Sequence, residues 1–230
     1  MLAANLFLAL APSLVLLWWA YRRDTHKKES ARLLAYAFLL GLFAIVPSIL
    51  VGLLADPFRR FFDGFAETLY RAFVVAALVE EGVKYVLLAG FVRRHPHFDE
   101  HTDGLVYGMA ASLGFAFFEN ALYVGGSPIV LLVRGLTAVP LHAGCGALVG
   151  YFVGRAHFQP RRPAAAGLPI AIAVHGLYDL LIFSGGLVSF GAIAVVLGLV
   201  VAVPLLFRRA IELDVRHGRA GPHAKPSANP

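Results

Sequence analysis

Seven apolar stretches in this 230-residue chain are each long enough to cross a lipid bilayer as a helix. A spanning α-helix needs about 20 mostly apolar residues, because the hydrocarbon core of a bilayer is about 30 Å thick. The stretches lie at about residues 2–21, 33–54, 72–92, 104–124, 128–153, 168–184 and 187–207. This pattern predicts an all-α fold, a polytopic membrane bundle of about seven transmembrane helices.

The other residues form short connections, one amphipathic segment and a polar tail. Apolar and charged residues alternate at helical spacing over residues 57–71, which predicts an amphipathic helix in the membrane interface. Residues 208–230 are rich in charge, Pro and Ala, and we expect a disordered cytoplasmic tail. No second domain or internal repeat is evident, so residues 1–207 are predicted to form a single transmembrane domain.

The composition agrees with a membrane protein and argues against other classes. The chain is 59% hydrophobic and 15% charged, with a mean hydropathy of +0.72, unlike a typical soluble domain. Its Lys and Arg residues lie mostly between the apolar stretches, where they orient helices, so no nucleic-acid partner is expected. The single cysteine, Cys145, excludes an internal disulfide.

The distribution of basic residues predicts the orientation of the chain. With the N-terminus outside, fifteen Lys and Arg residues fall on the cytoplasmic side and three fall outside. Cytoplasmic loops of membrane proteins carry the excess of Lys and Arg. The sequence therefore predicts an outer N-terminus and an inner C-terminus.

Ionisable side chains interrupt four of the apolar stretches. A charged residue at the centre of a spanning helix costs about 2.5–3.5 kcal/mol on insertion scales, so such residues mark functional sites by default. We therefore predict a polar reaction or transport centre buried among the helices. The eight residues concerned are Glu80, Glu81, Lys84, Glu119, Arg134, His142, His175 and Asp179.

The spacing within the third and sixth stretches predicts local pairs. Lys84 lies four residues after Glu80 and three after Glu81, so it can pair with either carboxylate and leave the other for chemistry. A buried ion pair that only fixes helix packing is the alternative. His175 and Asp179 are four residues apart on one helical face, so Asp179 can fix the tautomer of His175 or act beside it.

The fourth and fifth stretches add a second carboxylate and a second histidine. Glu119 and Tyr123 share a helical face, so the phenol can orient the carboxylate. Pro140 is expected to kink or break the fifth stretch just before His142. Glycines at 146, 150 and 154 predict a close approach of another helix. Taken alone, the pair of Glu119 with Tyr123 is equally well explained by interior packing, and His142 is better explained as a hydrogen-bonded interior histidine than as a ligand.

The buried charges suggest a bound metal. The four carboxylates and two cations leave a formal charge of −2, so either carboxyl groups are protonated or a divalent cation is bound. Zn²⁺ is the natural candidate for a site with histidines and carboxylates, and Glu80, His142 and His175 are the candidate ligands. At about 1.5 Å per residue from the outer ends of their stretches, Glu80 and His175 lie in the outer half of the membrane and His142 lies deeper, at about 21 Å.

Four motifs in order resemble the PrsW family of intramembrane proteases, a branch of the CAAX-protease and bacteriocin-processing superfamily. They are Glu80-Glu81-x-x-Lys84, Phe118-Glu119-Asn120-x-x-Tyr123, His142-x-x-x-Gly146 and His175-x-x-Tyr178-Asp179. The resemblance covers about residues 70–185 and departs from the family pattern in the spacing of Tyr123, one residue closer to the glutamate.

The resemblance implies a four-helix catalytic core and an endopeptidase of a bacterial cytoplasmic membrane. Its substrate would be a membrane-anchored protein such as an anti-sigma factor. The implied catalytic residues are Glu80, Glu81, Glu119, His142, His175 and Asp179, supported by Lys84, Asn120, Tyr123 and Tyr178. Hydrolysis either by a metal-activated water or by a metal-free, glutamate-activated water agrees with the pattern.

Two other functions remain open from the sequence. Membrane-embedded Glu, Asp and His residues also mark proton- or cation-coupled transporters, although the two halves of the chain show no repeat. A catalytically silent scaffold on the same fold is the third possibility, because fold does not fix function. The sequence does not identify the substrate or the oligomeric state.

Overall fold

The computed structural model describes residues 2–23 and 30–220, and these residues form helices and short connections. The predicted all-α membrane fold is confirmed. The α-helices, numbered along the chain, are α1 (Leu2–Arg23), α2 (Ala31–Ala55), α3 (Gly64–Tyr70), α4 (Val79–Gly90), α5 (His101–Leu122), α6 (Pro128–Leu136), α7 (Ala138–Phe158), α8 (Gly167–Ser184) and α9 (Gly191–Ala220). Short 3₁₀ turns cover Asp56–Phe61, Val92–Arg94, Ala164–Ala166 and Gly186–Phe190.

Six helical segments of the described chain are long and apolar enough to cross a membrane. They are Leu2–Arg23, Ala31–Phe61, His101–Leu122, Pro128–Phe158, Ala164–Ser184 and Gly186–Gly218. The predicted third span, 72–92, largely coincides with a seventh long helical segment made of α3, a π-helical stretch (Arg71–Leu78) and α4, which ends at Gly90. At 1.5 Å per residue these 27 residues, 64–90, reach about 40 Å, which is long enough to cross a membrane. The segment contains Glu80, Glu81 and Lys84, and it is not one of the six apolar segments.

The centre of the bundle is the pair formed by α5 and α7, the two helices with the most extensive mutual contact. Glycines allow this approach, as the run in the fifth stretch predicted. A Cβ atom at Gly150 would overlap the carbonyl oxygen of Gly104, and one at Gly146 would overlap that of Gly108. The backbones therefore touch with no side chain between them, which brings the motifs of α5 and α7 within reach of each other.

The predicted interfacial helix over 57–71 is wrong as a single element. The chain continues α2 through the 3₁₀ turn Asp56–Phe61, turns in extended conformation at Phe62 and Asp63, and starts α3 at Gly64. The amphipathic pattern thus covers the ends of two helices and the turn between them. Arg59 pairs with Glu67 across this turn, with 3.2 Å between Nη1 and Oε1.

The prediction of a disordered tail is wrong for residues 208–220. Helix α9 continues without a break through residue 220, and residues 221–230 lie outside the described part of the chain. The extension is anchored at Asp214, whose carboxylate accepts hydrogen bonds from the backbone N–H groups of His101 and Thr102 and from the Thr102 hydroxyl. Asp214 thereby caps the first turn of α5, and this contact fixes the helical tail.

The predicted break in the fifth stretch occurs at Thr137, between α6 and α7. Pro140 explains it, since proline has no N–H to donate to the carbonyl of Leu136 and its ring crowds that carbonyl. His142 consequently lies one turn inside a new helix, about 6 Å from its start, rather than deep in a continuous one.

Candidate active site

Four helical segments bring the predicted polar residues around one cavity of about 510 Å³. Helix α4 contributes Glu80, the end of α5 contributes Glu119, the start of α7 contributes His142, and α8 contributes His175 and Asp179. The π-helical stretch directly precedes α4, and such wide turns change the face on which later side chains emerge. The sequence separation of these residues gives no hint of their proximity, but the fold assembles them.

Lys84 occupies the centre of the cluster, with only 4% of its side chain exposed. Its Nζ lies 2.6 Å from Glu81 Oε1 and 3.1 Å from His142 Nδ1. It also lies 4.4 Å from the centre of the Phe115 ring, within the range of a cation–π contact. An ammonium group only donates hydrogen bonds, so His142 Nδ1 must be an acceptor.

The protonation of His142 follows from this contact. A neutral imidazole that accepts at Nδ1 carries its proton at Nε2. His142 Nε2 lies 2.9 Å from Glu119 Oε2, so His142 donates this proton to the carboxylate. The ring is thus held at both nitrogens, by a donor on one side and an acceptor on the other.

His175 is surrounded by carboxylates. Its Nδ1 donates to Glu81 Oε1 at 2.8 Å. Its Nε2 lies 3.3 Å from Asp179 Oδ2 and 3.9 Å from Glu80 Oε2. The predicted pairing across one turn of α8 therefore forms, and the other ring nitrogen is fixed by a different helix. The Nε2 edge of the ring is the edge that faces the cavity.

The two adjacent glutamates have different surroundings. Glu81 is 1% exposed, and its Oε1 accepts from both Lys84 and His175. Glu80 lines the cavity, with 19% of its side chain exposed. Its Oε2 is 3.8 Å from Lys84 Nζ and is a buried atom without a hydrogen-bond partner among the described residues, as is Glu81 Oε2. Of the two, Glu80 is the carboxylate that a molecule in the cavity can reach.

The predicted orientation of Glu119 by Tyr123 is wrong. Arg134, from α6, instead forms an ion pair with Glu119, with 2.7 Å between Nη2 and Oε1. Its guanidinium lies 4.0 Å over the Tyr123 ring, and its Nε donates to Asn120 Oδ1 at 2.9 Å. Asn120 is fully buried and also donates to the carbonyl of Ala9. Tyr123 and Asn120 therefore hold Arg134, and Arg134 holds Glu119.

Two contributors to the cavity received no role from the sequence. Arg134 was counted among the buried charges, but its partners lie on α5 and its position depends on the break at Thr137. Thr137 lies at that break, and its Oγ1 is 2.8 Å from the Tyr178 hydroxyl. Tyr178 thus joins the cavity through Thr137. In the sequence, Arg134 stands within an apolar stretch without an acidic neighbour, and this could have indicated a role in the site. Nothing in the sequence indicated a role for Thr137.

A metal ion would find donors in this cluster. Glu80, His142 and His175 each present one ligand atom, and the three atoms lie within 4.8 Å of one another. The partnerless Oε2 of Glu80 and the cavity-facing Nε2 of His175 suit an ion, and His175 already donates its other N–H to a carboxylate, as metal-bound histidines usually do. His142 can also act as a ligand, but only after its Nε2 loses the proton that it donates to Glu119.

One wall of the cavity is apolar and exposed to the lipid. Ile129, Val130 and Val133 of α6 and Ile182 and Phe183 of α8 line it, and each is well exposed. The cavity therefore has the polar residues Glu80, His142 and His175 on one side, and on the other side an apolar surface that lipid chains would contact. A buried carboxylate–histidine cluster on such a helical bundle defines a class of membrane-embedded proteins that includes hydrolases acting within the bilayer.

Comparison with known proteins identifies the member of that class. Residues 29–207 match the model of the PrsW family of intramembrane metalloproteases. Protease PrsW of Bacillus subtilis (strain 168) is 32% identical over 178 residues, covering 75% of this chain and 80% of that protein. Protease PrsW of Clostridioides difficile (strain 630) is 31% identical over 187 residues, covering 76% and 77%. No solved structure matches the chain.

The chain therefore belongs to the PrsW family, and it is an intramembrane protease. The resemblance predicted from four short motifs is confirmed, and the transporter and silent-scaffold alternatives are set aside.

Proposed function

We propose that this protease hydrolyses a peptide bond of a single-span, membrane-anchored protein, such as an anti-sigma factor, with Glu80 as the general base. The observation that carries the proposal is the position of Glu80, whose partly exposed side chain lines the same cavity as His175 and His142 and whose Oε2 has no hydrogen-bond partner among the described residues. Glu81 is held on Oε1 by Lys84 and His175, so it is suited to positioning rather than to proton transfer.

The reaction needs one water and one proton carrier. Glu80 accepts a proton from the water as the water oxygen attacks the carbonyl carbon of the peptide bond. The same proton is then delivered to the amide nitrogen, the C–N bond breaks, and the products are a new amine and a new carboxylic acid, which loses its proton to solvent. Glu80 begins and ends the cycle as a carboxylate, and Asp179 and Glu81 hold His175 beside it throughout.

The negative charge on the carbonyl oxygen needs donors on the opposite side of the cavity. The N–H at Nε2 of His142 and the guanidinium of Arg134 both contact Glu119 at the cavity wall. In the metal-free form of the reaction, we assign these two groups to stabilise the oxyanion, because fixed donors in a site that excludes water are worth more than the same donors in solvent. Glu119 aligns them in the absence of substrate.

We also infer a metal-dependent form of the reaction, in which Glu80, His142 and His175 hold the metal ion that the family description implies, and zinc suits this donor set. In that form His142 is a ligand, and Arg134 is the donor that remains for the oxyanion. When bound, the ion would supply a positive charge that polarises the water and the substrate carbonyl. In the resting site His142 must give up its Nε2 proton to become a ligand, so ion binding should release protons from the protein. Isothermal titration with zinc in two buffers of different ionisation enthalpy measures this release.

The apolar wall supports a substrate that arrives through the membrane. A transmembrane helix presents apolar side chains to its surroundings, and the exposed residues of α6 and α8 offer a matching surface. A peptide bond inside a helix is protected by its own hydrogen bonds, so part of the substrate must unwind to enter the cavity. The outer N-terminus and inner C-terminus that the basic residues favour would place Glu119 and the start of α7 toward the outer face of a bacterial cytoplasmic membrane.

The test is cleavage of single-span substrates by purified protein in lipid vesicles. Glu80→Gln preserves the size of the side chain but removes the base, and we expect the cleavage rate to fall by about 10²–10⁴-fold. Glu67→Gln is the matched control, since Glu67 is partly exposed on α3, outside the cavity, and its ion pair within the described residues is with Arg59 across the turn. Activity that survives Glu80→Gln but disappears in Glu81→Gln would exchange the roles of the two glutamates.

A further inference from the structure

A second cavity lies on the opposite side of α7 from the active site and faces the lipid between α1 and α9. Its volume is about 450 Å³, similar to that of the catalytic cavity. Helix α1 packs on α5 and α6, whereas α9 packs on α7 and α8, so the two helices leave a cleft between them with α5 and α7 as its floor. The ring of Trp19 meets that of Phe207 edge to face near one end.

The lining of this cavity is apolar except at one end. Val15 and Trp18 of α1 and Val200 of α9 form its rims, and all three are well exposed. Arg23 contributes the charge, at the last turn of α1. From Val15 to Arg23 the helix rises about 12 Å, close to half of the roughly 30 Å hydrocarbon core. The cavity thus has the depth of one lipid leaflet.

Two arginines and two tryptophans are paired at the charged end. The guanidinium of Arg22 lies 5.5 Å over the Trp18 ring, and that of Arg23 lies 5.0 Å over the Trp19 ring. Tryptophan rings concentrate at the level of lipid headgroups, and clustered basic residues beside a span attract anionic lipids. The charged groups are therefore at the depth where the phosphate of a lipid would lie when its chain fills the cavity.

We propose that this cleft is a binding site for one anionic phospholipid. An acyl chain occupies the cavity between α1 and α9, and the phosphate contacts Arg22 and Arg23. The complementarity of charge selects an anionic lipid over a zwitterionic one, and the apolar walls select a chain over a polar ligand. A substrate helix is a poorer match, since this cavity has the length of one leaflet and lies away from Glu80.

The floor of the site links it to catalysis. Pro140, Ala143 and Gly144 of α7 line the cavity, and they flank His142, whose side chain points to the other face of the same helix. Gly144 also packs against Leu199 of α9, where a Cβ atom would meet the leucine side chain at 2.7 Å. A bound chain would therefore support the first turns of α7 from behind and hold His142 at its position.

The experiment measures lipid binding directly by native mass spectrometry of the purified protein in detergent. Phosphatidylglycerol and phosphatidylcholine with the same acyl chains are titrated separately. We expect the wild-type protein to retain phosphatidylglycerol more strongly. Arg22→Gln and Arg23→Gln should each reduce this preference about fivefold, as expected for one basic residue at a lipid surface. Val200→Trp should fill the cavity and reduce the retention of both lipids.

Matched controls separate this site from general lipid adhesion. Arg93→Gln and Arg94→Gln remove a basic pair from the connection after α4, and Leu50→Trp adds an indole to the exposed face of α2. These variants should retain phosphatidylglycerol as the wild type does. Equal losses in control and test variants, or an unchanged preference in Arg23→Gln, would overturn the proposal.

Photo-crosslinking provides a readout that does not depend on how well a variant folds. A phosphatidylglycerol with a photoreactive acyl chain is irradiated with the wild-type protein in vesicles, and the adducts are mapped by peptide sequencing. Adducts at Val15, Met109 and Val200 support the site. Adducts confined to α2, or loss of the adducts at these three positions when an excess of a single-span substrate is added, refute it.

Discussion

Removal of Lys84 tests how the catalytic cluster is held together. In Lys84→Met a chain of similar length replaces the lysine, but the ammonium that bonds Glu81 and His142 is lost. Glu81 then remains 1% exposed with His175 as its one hydrogen-bonding partner among the described residues. Removing one member of a buried ion pair typically costs about 3–5 kcal/mol, because the other charge is left uncompensated. We expect a loss of this size in the free energy of unfolding.

A double-mutant cycle isolates the contribution of the pair. Glu81→Gln removes the charge that Lys84 compensates, so the double variant should be more stable than the sum of the two single losses implies, by about 0.5–3 kcal/mol. Unfolding is followed by circular dichroism in mixed micelles of increasing dodecyl sulfate content. The exposed pair of Arg59 and Glu67 is the control, and its removal should cost at most about 1 kcal/mol.

Two results would refute this reasoning. A loss below about 1 kcal/mol in Lys84→Met would place the lysine in a solvated position rather than in a buried one. Strictly additive losses for Lys84→Met and Glu81→Gln would show that the two side chains do not interact.

Three other substitutions test separate parts of the structure. Gly150→Ala places a Cβ against the Gly104 carbonyl, so it should destabilise the protein by about 1–3 kcal/mol in the same unfolding assay. Gly198 has open space around it, so the control Gly198→Ala should be neutral or slightly stabilising. Arg134→Lys keeps the charge but loses the planar group that joins Asn120 and Glu119, and the cleavage rate should fall about 10–100-fold; an unchanged rate would remove Arg134 from the site. Asp214→Asn should cost about 1–3 kcal/mol and increase hydrogen exchange in the first turn of α5, while Glu212→Gln should leave that exchange unchanged.

The sequence predicts the membrane helices well because length and apolar content are local properties. It fails where a distant contact decides. Residues 208–220 look like a disordered tail by composition, but Asp214 caps a helix that begins 113 positions earlier in the chain, at His101. The amphipathic pattern over 57–71 is real, yet periodicity does not show the reversal of the chain at Phe62 and Asp63.

Prediction of the site also succeeds for local properties and fails for contacts between distant residues. The cost of burying a charge singles out Glu80, Glu119, His142 and His175 from the sequence alone, because that cost depends on residue type and depth. The partners of each residue depend on the assembled bundle. Glu119 was paired with Tyr123 by helical spacing, but an arginine from another helix satisfies the carboxylate better, since it brings a full opposite charge.

The distinct roles of Glu80 and Glu81 also required the structure. In the sequence both lie within reach of Lys84, and neither position identifies the base. Our proposal of Glu80 as the base rests on the fold, because α8 brings His175 to Glu81 on the buried side and leaves Glu80 on the cavity side.

The most direct test of catalysis by this cavity is to cleave a single-span substrate with the purified protein in vesicles made with H₂¹⁸O, and to sequence both products by mass spectrometry. We predict one cut within or at the edge of the apolar segment of the substrate. One heavy oxygen should appear in the new terminal carboxylate, and both products should form about 10²–10⁴-fold more slowly with Glu80→Gln. Cleavage by Glu80→Gln at the wild-type rate, or a cut confined to a soluble part of the substrate, would contradict the account.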